Sequence, residues 1–152
     1  MKFFTNSHTR VMAIAFVISF AACTKDNEPN DQIFDIRGNA TSVSMQNNDA
    51  AYGNITGGYS ATYKKIAFNI NWYNLSDKAT GSSLGIDDGR TVEVIKTFPV
   101  TEGTTTGLTA ADMILSDEQA TKLSNGEWVF MVNTVDHPEG ELQGKMLLIR
   151  TQ

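Results

Sequence analysis

Cysteine and histidine are nearly missing from this sequence: one Cys and two His in 152 residues. From Cys23 onward only His137 supplies an imidazole. A disulfide needs two thiols, and Cys-rich zinc sites and multi-histidine centres need several soft or imidazole ligands. The single chain therefore has no means of building either, and the sequence calls for no metal and no cofactor. Basic clusters are missing too. The 12 Lys and Arg, less Lys2 and Arg10, stand against 17 Asp and Glu, all of which follow Cys23, a net charge of about −7 for that part. Displacing counterions from a phosphate backbone takes clustered Lys and Arg, so nucleic acid is not the expected partner. A phosphate-binding Gly-rich loop is absent as well; Gly103-Thr104-Thr105-Thr106-Gly107 has no following Lys and reads as a flexible loop.

What is present begins with an address. Lys2 and Arg10 precede an apolar run, Val11 to Ala22, that ends directly on Cys23. Charge, a short apolar stretch and then small residues is the order of a secretory signal. Twelve helical residues rise about 18 Å, too little to cross a hydrocarbon core of about 30 Å. The segment Phe20-Ala21-Ala22-Cys23 resembles a bacterial lipobox, with Phe20 where Leu is usual. That resemblance implies a signal peptide over residues 1–22 and a mature N-terminus at Cys23 carrying thioether-linked and amide-linked acyl chains. Residues 23–32 hold Lys25, Asp26, Glu28 and Asp31 among Asn and Pro, a solvated acidic tether. The expectation is an exported protein anchored in the outer membrane, with cell-surface exposure if the Lys-then-acid pattern acts as an export signal.

Residues 33–152 read as one domain, a length that supports a single core. Lys65 to Tyr73 alternates strictly, with Ile66, Phe68, Ile70 and Trp72 on one face. Strands are also expected from Ile33, with Ala40 to Met45 extending or following it, and over Tyr52–Tyr59 and Thr91–Phe98. A hairpin is expected from Trp128–Val135 and Glu141–Arg150, both strands centrally placed. Ser116-Asp117-Glu118-Gln119 spells a capping box, and Asn125-Gly126 closes the short helix it opens. Asp87-Asp88-Gly89-Arg90 reads as a solvated turn. Short strands with one helix predict an all-β fold, an antiparallel Greek-key β-sandwich of immunoglobulin-like or superoxide-dismutase-like type.

The stretch from Leu115 to Leu148 resembles the C-terminal half of a CHRD domain, the module named for its occurrence in chordin. The family pattern runs through a short acidic helix, a Gly, a strand ending in Asn-x-His-Thr type sequence, and His-Pro-x-Gly-Glu-hydrophobic-x-Gly. Gly126, Asn133, Thr134, His137, Pro138, Gly140, Glu141, Leu142 and Gly144 fill it here. The family's His-x-His pair and its histidine before the His-Pro turn have no counterpart in Ser82–Ile86 or Val132–Thr134. No metal or catalytic role comes over with the resemblance.

His137, Pro138 and Gly140 are expected to fix a tight turn, the His137 ring capping loop carbonyls, and Glu141 to bind loop amides. Asn133, Thr134 and Gly144 complete this structural turn, which is also the candidate binding surface. The function expected is non-enzymatic: a membrane-anchored envelope module with an unidentified protein or glycan ligand. A carbohydrate-binding alternative requires Trp72, Tyr73 or Trp128 to form an exposed flat platform. A hydrolase alternative requires His137 in a concave pocket with Asp136, Glu139 or Glu141 as its partner.

Overall fold

A computed structural model describes residues 31–43, 51–100 and 103–150. The expected signal peptide, Cys23 and most of the tether lie outside the described residues. In chain order the elements are β1 (Ile33–Ser42), β2 (Tyr52–Ser60), β3 (Lys65–Tyr73), β4 (Ala79–Asp87), β5 (Val92–Pro99), β6 (Gly107–Ile114), α1 (Asp117–Ser124), β7 (Trp128–Thr134), β8 (Leu142–Lys145) and β9 (Leu147–Arg150).

The alternation of β3 is realised in full: Ile66, Phe68, Ile70 and Trp72 are buried, while Lys65, Ala67 and Asn69 face solvent. Its neighbours follow by antiparallel pairing, β2 from Tyr52↔Tyr73 to Ser60↔Lys65 and β6 from Trp72↔Gly107 to Lys65↔Ile114. The full lateral order is β5-β4-β7-β8-β1-β2-β3-β6, with β9 also paired to β1. Every described pairing is antiparallel. The strands form one nearly closed, barrel-like sheet. Its far parts meet across the interior, where the Phe68 ring of β3 lies edge-on to the Phe98 ring of β5 at 5.4 Å. The all-β, antiparallel expectation with one short helix therefore holds at that level, in a single curled sheet. Trp72, Trp128, Phe130, Leu142 and Met146 fill the core at 1% exposure or less.

Two strands had no counterpart in the sequence reading. β4 is Gly- and Ser-rich, yet Gly81 through Ile86 is buried without a break, because β5 and β7 flank it on both edges and both of its faces are covered. A Cβ on Gly85 would come within 2.9 Å of the Glu93 carbonyl oxygen. β6 is an edge strand whose exposed face carries Leu108, Ala110 and Ile114; the loop read over Gly103–Gly107 holds only as far as Thr106. The last strand is also revised. It breaks at Met146, whose amide donates to the Trp128 carbonyl at 2.8 Å and whose side chain enters the core. Beyond the break β9 pairs with β1 alone and exposes Leu147 and Ile149, so of the expected hairpin only β7 and β8 are centrally placed.

The helix forms as its capping box requires. Ser116 Oγ accepts from the Gln119 amide at 3.2 Å, and Gln119 Oε1 accepts from the Ser116 amide at 3.0 Å. Ala120 and Leu123 turn inward, and Gly126, with φ +74°, ends the run. The Asp87–Arg90 turn is closed by its own side chains. Asp88 Oδ1 accepts from the amides of Thr91 and Arg90, which hold its carboxyl below the usual 3.8.

One interior atom stands out. Ser82 shares the inward face of Leu84 and Ile86 by strand alternation, is fully buried, and its Oγ has no hydrogen-bond partner among the described residues. A buried, unpaired hydroxyl costs about 1–3 kcal/mol of desolvation. Ser82→Ala is expected to stabilise the domain by about 1 kcal/mol, seen as a higher urea midpoint at unchanged slope. A lower midpoint would show that the hydroxyl is satisfied in solution.

Candidate functional site

The motif residues gather at the β7–β8 hairpin, where the strands are in register from Val129↔Lys145 to Val132↔Leu142. The loop from Val135 to Glu141 is closed by backbone. The carbonyl of His137 accepts from the amides of Thr134 at 3.2 Å and Gly140 at 3.0 Å, and the His137 amide donates to Thr134 Oγ1 at 3.2 Å. Gly140 has φ +124°, a region closed to residues with a Cβ. Thus His137 does cap the turn, but with its main chain. The ring lies beside Glu139, Nδ1 to Oε1 3.8 Å, with 19% of the side chain exposed.

Asn133 is the hub of a polar chain. Its Nδ2 donates to the Pro138 carbonyl at 2.7 Å, and its Oδ1 accepts from Ser83 Oγ at 2.9 Å. Ser83 has one hydroxyl proton and spends it on Asn133, so the 3.2 Å contact with Thr97 is a bond donated by Thr97 Oγ1. The sequence Thr97 to Ser83 to Asn133 to Pro138 ties β5, β4, β7 and the loop together, each bond polarising the next.

Glu141 does what was expected of it at a position no spacing could reveal. It is 4% exposed. Its Oε1 accepts from the Ser76 amide at 2.7 Å and its Oε2 from Ser76 Oγ at 2.9 Å, 65 residues away in the chain. Its own amide bonds the Val132 carbonyl at 2.8 Å and its carbonyl accepts from Val43 at 2.9 Å. A buried carboxylate is thus satisfied at both oxygens, pinning the β3–β4 loop to the hairpin. Gly144 is required by a close approach: a Cβ there would overlap the Asn39 carbonyl oxygen and lie 2.8 Å from the Phe130 ring. Opposite it, a Cβ on Gly38 would overlap the Lys145 carbonyl oxygen.

Sequence reasoning thus located the motif but missed Ser76, Ser83 and Thr97, small hydroxyl residues with no local pattern. The candidate partners of His137 divide: Glu139 is near the ring, and Glu141 is committed to Ser76. Trp72 and Trp128 are 1% and 0% exposed, and their indole N–H groups donate to the carbonyls of Thr104 and Gln119. Tyr73 is half-buried and stacks on Tyr52 at 4.7 Å, 18° from parallel. The tryptophans therefore offer no flat platform. Among the described residues, no three His, Cys, Asp or Glu side chains come together as a metal site, and no helix is long and apolar enough to cross a membrane.

What these groups make is a hairpin whose polar side chains are bonded to the protein's own backbone and hydroxyl groups. The CHRD domain family model matches residues 35–146, and the chain belongs to that family. No curated protein and no solved structure matches it.

Proposed function

We propose that this chain is an exported, membrane-anchored lipoprotein whose CHRD domain serves as a non-enzymatic binding or structural module. The observation that carries the non-enzymatic reading is the inward commitment of the motif. Asn133, Thr134 and Glu141 bond neighbouring backbone, and among the described residues no nucleophile is held against His137. The anchor reading is supported by the charged, apolar and small-residue order that ends on Cys23, with a short acidic tether before Ile33. The ligand class is a protein or glycan met outside the inner membrane, and the localisation is the outer membrane. Greek-key connectivity belongs to the same reading: the chain leaves β5 to lay β6 beside β3, then returns to lay β7 beside β4.

The test compares wild type with Cys23→Ala by intact mass, detergent-phase partitioning and protease shaving of whole cells. Wild type is expected to carry a lipid mass increment and to partition with membranes, and the variant to lose both. Several acyl chains at about 0.8 kcal/mol per buried methylene make that difference nearly all-or-none. An unlipidated, soluble wild type would overturn the anchor, and shaving reports whether the domain faces outward.

A further inference from the structure

The chain enters the domain at a fixed point. Asp31 Oδ2 accepts from Ser60 Oγ at 2.6 Å and Asp31 Oδ1 from the Thr62 amide at 3.2 Å, while the Ala61 amide donates to the Gln32 carbonyl at 3.0 Å. The Ser60 hydroxyl bond is the main cause that holds the Asp31 carboxyl below 3.8. The tether is thereby clamped to the β2–β3 turn before β1 begins.

That same end of the barrel is unusually apolar. The row Ile33, Ser60, Lys65, Ile114 runs across β1, β2, β3 and β6. Ile33 is 46% exposed, Ile114 73%, Tyr63 of the turn 58%, and Ile149 of β9 44%. An open apolar groove of about 250 Å³ lies between Ile33, Tyr63 and Ala67. Two of the cations beside it are already partnered, Lys64 with Asp117 and Lys65 with Asp112.

We infer that this end, Ile33, Tyr63, Ile114 and Ile149, is a docking face for the lipid surface in which Cys23 is anchored. The inference rests on the lipoprotein reading of Cys23 and adds an orientation to it. From Cys23 to the Asp31 clamp the chain is eight residues, at most about 28 Å when extended. The first part of the domain that this leash can bring to the bilayer is the patch beside the clamp. A phenol and three branched aliphatic side chains suit the interface between headgroups and acyl chains. With both lysines neutralised by neighbours, docking is apolar in origin and does not call for anionic lipid. The β7–β8 hairpin, at the opposite end of β1 through Ser42↔Leu142, then points away from the membrane.

The full lipidated chain, reconstituted in vesicles, tests this. Thr62→Cys beside the patch and Asp136→Cys at the far end each take one environment-sensitive label, since a lipidated Cys23 has no free thiol. Brominated phospholipids then quench by contact. Quenching is expected to be several-fold stronger at position 62 than at 136, on zwitterionic and phosphatidylglycerol-containing vesicles alike, and to fall when Ile33→Asp and Tyr63→Asp are added. Equal quenching at both positions in a preparation whose mass carries lipid overturns the docking face alone. A mass without lipid overturns the anchor reading, and the docking face with it.

Discussion

Gly144→Ala is expected to destabilise the domain by about 3 kcal/mol, the upper end of ordinary overpacking costs. The methyl group would occupy the space of the Asn39 carbonyl oxygen and press on the Phe130 ring. Neither neighbour gives way cheaply. Asn39 lies in β1 between pairing to β2 on one edge and β8 and β9 on the other, and Phe130 is fully buried. A flexible side chain moves aside for a few tenths of a kcal/mol, whereas backbone in the middle of a sheet carries its ladder with it. Urea unfolding checks this against Gly58→Ala, where the nearest atom to the new Cβ is 3.9 Å away. A loss at Gly144 no larger than at Gly58 would show that β1 and β8 separate freely at this point.

Glu141→Ala should cost a similar amount, about 2–3 kcal/mol, by removing the two charge-assisted hydrogen bonds it accepts from Ser76. Glu141→Gln separates charge from shape. Its one oxygen can serve one Ser76 donor, but its amide nitrogen then faces the other, so roughly half of the loss is expected. Glu139→Ala provides the control, because that carboxylate is largely exposed and meets only the His137 ring at 3.8 Å. Ser76→Ala combined with Glu141→Ala closes a double-mutant cycle whose coupling should exceed about 1 kcal/mol. Independent losses would sink the view that Glu141 acts by tying the β3–β4 loop to the hairpin.

The legible parts of the sequence were those in which local chemistry and tertiary placement agree. β3 could be read because one of its faces is buried and the other wet, which prints an alternating pattern. The helix could be read because its cap is made within four residues. β4 could not: with both faces and both edges covered, Gly81, Ser82, Ser83 and Gly85 were selected by the closeness of their neighbours, and small residues read as loop. β9 misled in the opposite sense, since apolar Leu147 and Ile149 suggested a central strand but lie on the surface. At the site, the motif marked the right hairpin. It did not disclose that His137 acts through its carbonyl, nor that Glu141 reaches across 65 residues to Ser76.

The placement of β1 has a mechanical consequence. A pull between the clamp at Asp31 and the hairpin at His137 draws β1 toward its start and β8 toward its own start, at opposite ends of the domain. Ladder hydrogen bonds lie across the strands, so such a load shears them together instead of peeling them one by one. The row that takes this load directly is the one joining β1 to β8. A domain gripped at these two points would resist extension better along this axis than across it.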